Sequence, residues 1–95
     1  MKKYRNIPEQ EISVAAYYIW KDKNPYEVLC WLLAERQLYI EINFVKPSFL
    51  QIAERAEKIF SSEIPYDVLC WEIGLSNLII QKNTSIDNLN SIFRD

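Results

Sequence analysis

The chain reads as a mainly α-helical protein built from two tandem helical hairpins. Three observations carry that reading: an internal repeat of about 40 residues, apolar residues at helical spacing in both copies, and a single glycine in 95 residues. Pro25-Tyr26-Glu27-Val28-Leu29-Cys30-Trp31 returns as Pro65-Tyr66-Asp67-Val68-Leu69-Cys70-Trp71, with only Glu27 and Asp67 differing. At the same offset residues 12–40 pair with 52–80, and 11 of the 29 pairs are identical, so the repeat spans more than one element. The scarcity of glycine argues against a sandwich, a barrel or a phosphate-cradling loop. Residues 1–95 are expected to form a single domain, with unit one at 8–45, unit two at 48–82 and a closing helix at 85–93.

The first helix of unit one is predicted over about 8–22. Ile12, Ala15, Ala16, Ile19 and Trp20 make a stripe at spacings of three and four, and Pro8 suits the first turn. Ile52, Ala56, Ile59 and Phe60 repeat the stripe and place a helix over about 49–61. Ser48 followed by Gln51 three residues later has the form of a capping box at its start.

The second helix of unit one is predicted over about 25–37. Asn24 stands as N-cap, Pro25 as first helical residue, and Glu27 is placed to reach back to the cap. In unit two Ile64 replaces Asn24, which weakens the cap, and a helix over about 65–74 ends near Gly74. Tyr39 to Val45 then alternates apolar and polar residues, and Leu78-Ile79-Ile80-Gln81 is a shorter counterpart. The two runs either pair as a short β ribbon or leave the first as an extended linker. Thr84, Ser85 and Asp87, with Leu89, Ile92 and Phe93 on one face, signal the closing helix.

On a helical wheel the repeated segment has two apolar faces. Tyr26, Leu29, Cys30 and Leu33 fall on one side, with Val28 and Trp31 roughly opposite; Tyr66, Leu69, Cys70 and Ile73, with Val68 and Trp71, do the same. A helix of this kind is either central in its domain or part of an interface. Two readings of the Val and Trp face follow: it packs the repeats together, or it anchors a second copy or a partner protein. Leu32 becomes Glu72 and Glu35 becomes Leu75, so the two copies are expected to show solvent different edges.

Composition excludes several function classes. There is no His, which removes the commonest general base and metal ligand. No catalytic residue, cofactor or metal site is therefore expected. Glu54 and Glu57 sit beside Arg55 and Lys58 as a solvated charged face. The net charge is −2, from 11 basic and 13 acidic residues without a basic stripe, which argues against nucleic acid as partner. No apolar run is long enough to span a bilayer, and Met1-Lys2-Lys3-Tyr4-Arg5 lacks the apolar run of a signal peptide, so the expected location is cytoplasmic. Cys30 and Cys70 are then read as reduced core thiols.

Ala16-Tyr17, Ile19-Trp20, Trp31-Leu32, Ala34-Glu35 and Leu38 resemble a small bacterial domain family of unknown function. Its members carry Ala-Tyr and Ile-Trp on one helix and Trp-Leu-x-Ala-Glu on the next. The resemblance covers residues 12–38; the inter-helix segment is shorter here, and unit two keeps only parts of the pattern. It implies a helical hairpin and transfers no active site.

The function expected is that of a non-enzymatic adaptor or regulator acting on another protein, as a homodimer, through Val28, Trp31, Val68, Trp71 and the Tyr17/Tyr18 edge. A phage or mobile-element inhibitor of a host complex belongs to the same physical class. The alternative of a different class is a helix-turn-helix DNA regulator. It rests on Cys70, Gly74, Leu75, Ser76 and Ile80 at spacings like those of that motif, although the segment Ser76 to Gln81 is too apolar for a DNA groove.

Overall fold

The computed structural model describes residues 7–84. They form α1 (Glu9–Lys21), α2 (Tyr26–Glu41), α3 (Phe49–Ser61) and α4 (Tyr66–Thr84), with no strand among the described residues. The expected closing helix at 85–93 lies outside them.

The stripes behave as their spacing requires. Ile12 and Ala16 of α1, and Ile52 and Ile59 of α3, are buried. The Ser48 hydroxyl accepts from the Gln51 backbone N–H at 3.2 Å, and the Gln51 side chain accepts from the Ser48 N–H at 2.8 Å, so the capping box is formed. The box expected from Asn24 and Glu27 is not. Pro25 itself occupies the N-cap, in extended conformation and without a side-chain cap, and its carbonyl accepts from Val28 and Leu29. Pro8 likewise takes the N-cap of α1, one position before the first turn.

The larger corrections concern the ends of α2 and α4. Both helices run past the predicted stops, and the ribbon expected from residues 39–45 and 78–81 is replaced by helix at 39–41 and 78–81. Tertiary packing overrides local preference there. Leu69, Ile73, Ser76 and Ile80 form one buried row along α4, at spacings that continue straight through Gly74. The glycine is not a stop but a crossing point. A Cβ added at Gly74 would stand 3.0 Å from the Ala16 backbone nitrogen and 3.1 Å from the Ala15 Cβ. The absent side chain is what lets α1 approach α4. An uninterrupted α4 also removes the turn that a helix-turn-helix needs between Cys70 and Ile80.

Packing crosses the repeat. α1 lies against α4, α3 lies against α2, and α2 lies against α4; neither α1 with α2 nor α3 with α4 forms an extensive interface. The hairpin expected within each unit is therefore not the packing unit. α1 and α4 run antiparallel, their far ends joined by Lys82 Nζ and Glu11 Oε1 at 3.3 Å. In α2 and α3 the Tyr26 ring meets Phe60 at 5.6 Å, while Arg55 holds Glu41 at 2.8 Å.

α2 and α4 are the central helices, which accounts for their two apolar faces. Leu29, Cys30 and Leu33 interlock with Leu69, Cys70 and Ile73 in one core. Both cysteines are free, and burial pushes both thiols above their usual pKa, with Glu27 and Asp67 adding to the effect. A smaller apolar cluster around Tyr39 and Ile80, with Phe44 edge-on to Tyr39 at 5.7 Å, closes the far end.

Candidate functional site

The face carried by Val28 and Trp31 is divided by the fold. Val28 and its counterpart Val68 remain 38% and 40% exposed, whereas Trp31 and Trp71 are half-buried and pack against the core. The Trp31 indole donates to Glu35 Oε2 at 3.1 Å, and its ring tilts onto Phe49 at 5.2 Å. Trp71 has Leu75 at the equivalent position, which offers no acceptor.

Glu35 does not face solvent as its place in the sequence suggests. It is buried together with Arg36. Arg36 donates from one terminal nitrogen to Glu35 Oε1 at 2.8 Å and from Nε to Asn77 Oδ1 at 2.8 Å, bridging α2 to α4. Burial lowers the Arg36 pKa, and the Glu35 carboxylate partly restores it. Charges out of water persist only when paired and hydrogen-bonded, a condition Trp31, Glu35, Arg36 and Asn77 meet together.

Tyr17 and Tyr18 project from α1 and are about half exposed or more, at 51% and 59%. Their rings meet edge-on at 5.4 Å, and Trp20 extends the row, 6.1 Å from Tyr17. Lys23 Nζ stands 5.1 Å from the Trp20 ring centre, a cation over its face.

A second apolar surface was not singled out from the sequence. Phe49 and Leu50, in the first turn of α3, are 74% and 65% exposed, and the Phe49 ring lies tilted against Trp31. Beside it runs an open groove of about 460 Å³ between α2 and α3, with Trp31, Ala53, Ala56 and Phe60 as its walls and Glu27 and Glu57 among its lining. The signal was present: Phe49 extends the Ile52–Ala56–Ile59 stripe by one turn toward the helix start, beyond the reach of the core.

This arrangement can bind an apolar shape and attract basic groups to its edge. Among the described residues no three His, Cys, Asp or Glu side chains converge as metal ligands, and no helix is long and apolar enough to cross a membrane. The described residues thus form a mainly helical protein that leaves aromatic and aliphatic side chains exposed on α1 and at the start of α3. No family model, curated protein or solved structure matches the chain.

Proposed function

We propose that this protein is a non-enzymatic adaptor or regulator that takes an apolar segment of a partner protein into the α2–α3 groove. The observation that carries the reading is the pair Phe49 and Leu50, both left largely in solvent, with the Phe49 ring against Trp31. Large side chains clustered on a surface mark contact sites, and covering each of these two contributes about 1.5 to 3 kcal/mol. Trp31 is the anchor at the groove, and Glu27 and Glu57 favour a partner whose apolar segment is flanked by Lys or Arg; Val28, three residues before Trp31 on α2, stays partly exposed. Tyr17 and Tyr18 offer a second aromatic contact, with Val68 and Trp71 on the related face of α4.

The test uses the intact chain as bait in extract from its native host, with the captured protein identified by mass spectrometry and its affinity then measured in purified form. Phe49→Ser with Leu50→Ser is expected to weaken that affinity at least tenfold while the melting temperature stays within a few degrees. Unchanged affinity in this double variant rejects the groove. Partner identity separates an adaptor from a phage or mobile-element inhibitor of a host complex.

A further inference from the structure

We propose that two copies of this chain can exchange halves, so that unit one of each copy folds onto unit two of the other. The inference does not rest on the adaptor reading; it comes from the packing and the connection.

Every extensive helix contact joins one unit to the other: α1 to α4, α2 to α3 and α2 to α4. The same is true of the polar links that tie helices together. Tyr26 Oη donates to the Ile64 carbonyl, Tyr66 Oη to the Asn24 carbonyl, and Arg36 to Asn77. Each unit alone leaves its apolar faces uncovered, and a unit from a second chain covers them with the same atoms. A dimer of this kind keeps the whole interface and changes only the connection between α2 and α3.

That connection holds two of the four non-glycine residues at positive φ among the described residues, whereas the turns before α2 and α4 hold one each, Lys23 and Glu63. Asn43 and Phe44 are consecutive at φ 64° and φ 65°; Asn takes up this left-handed conformation readily, whereas Phe adopts it at a penalty of roughly tenfold. Opening the turn releases both residues. Pro47 prevents α2 and α3 from merging into one helix when it opens, so the open connection is extended, with ample reach for crossing to a second chain. The closed form is held by Phe44, whose N–H donates to the Tyr39 carbonyl at 2.6 Å and whose ring packs on Tyr39. The chain is poised between the two connections, and concentration decides which one forms.

The experiment mixes light- and heavy-isotope full-length chains in denaturant, refolds them at high protein concentration and separates species by size. A dimer that survives dilution is expected. Zero-length carbodiimide coupling of Lys82 to Glu11, neighbours across the two units, should then join light chains to heavy ones. Absence of any dimer overturns the proposal, as does a dimer in which every Lys82–Glu11 link lies within one chain. Removing Asn43, Phe44 and Val45 leaves too little chain for the closed turn and is expected to give the dimer at all concentrations. A folded monomer from that variant overturns the proposal; if the variant does not fold, the isotope experiment alone decides.

Discussion

Tyr26 and Tyr66 exchange equivalent hydrogen bonds between the two units. The Tyr26 hydroxyl donates to the Ile64 carbonyl at 2.7 Å, and the Tyr66 hydroxyl donates to the Asn24 carbonyl at 2.5 Å. The donors are forty positions apart and so are the acceptors. Each hydroxyl thus fastens the start of its own helix to the turn that precedes the other central helix. Tyr26→Phe and Tyr66→Phe are each expected to cost about 1 kcal/mol in urea unfolding, with similar losses for the two. A cost near zero at either position would show that the bond there does not contribute.

Gly74→Ala tests the crossing of α1 and α4. Ala is the better helix former by about 1 kcal/mol, so an uncrowded site would be stabilised. Here the nearest atoms include Ala16 N and Ala15 C, which belong to the α1 backbone and cannot swing aside. Overpacking wins, and the expected result is a net loss of about 1 to 2 kcal/mol. A raised melting temperature would mean that the helices separate at little cost.

Arg36→Ala leaves Glu35 buried without its cation and removes the bridge to Asn77. The expected loss is about 3 kcal/mol or more, a large part of the stability of a domain this size. Glu35→Leu with Arg36→Met removes both charges and should cost less than Arg36→Ala alone. The related copy already carries Leu75 and Ser76 at these positions. Should the double variant be the less stable of the two, the pair is contributing net stability rather than specificity of packing.

Glu41 and Arg55 supply a pH dependence of known sign. Arg55 donates to both carboxylate oxygens, at 2.8 and 2.9 Å, and holds the Glu41 carboxyl below its usual pKa. A folded-state pKa below the unfolded one gives stability that is present above the unfolded pKa and lost as pH falls through the folded value. The pair is half in solvent, so Glu41→Gln should cost under about 1 kcal/mol at neutral pH. Unfolding curves of variant and parent should converge in acid. A difference that persists at the lowest pH would have to come from something other than this ion pair.

The outer helices were readable in the sequence because their signals are local. Ile52, Ala56 and Ile59 mark one face, Ser48 and Gln51 mark the start, and α3 falls where they place it. The central helices were harder. Gly74 and the β-branched run Ile79-Ile80 are weak helix formers, and their helical state comes from neighbours that are remote in sequence. Periodicity also says which face is apolar without saying which helix covers it, so the pairing of α1 with α4 carried no local mark. Glu35-Arg36 reads as surface for the same reason: its burial depends on Trp31 and on Asn77, far along the chain. At the candidate site, Trp31, Tyr17 and Tyr18 stood out as aromatics, whereas Phe49 and Leu50 looked like the ordinary start of an amphipathic helix.

The pairing of α1 with α4 also bears on the order of folding. Synthesis delivers α1 first and the helix that covers it last among the described residues. A chain still on the ribosome therefore carries Ile12 and Ala16 without their eventual cover until α4 has emerged. Contacts so distant in sequence slow the search for the native state, and the covering of α1 comes late, after α2 and α3 are already able to pair.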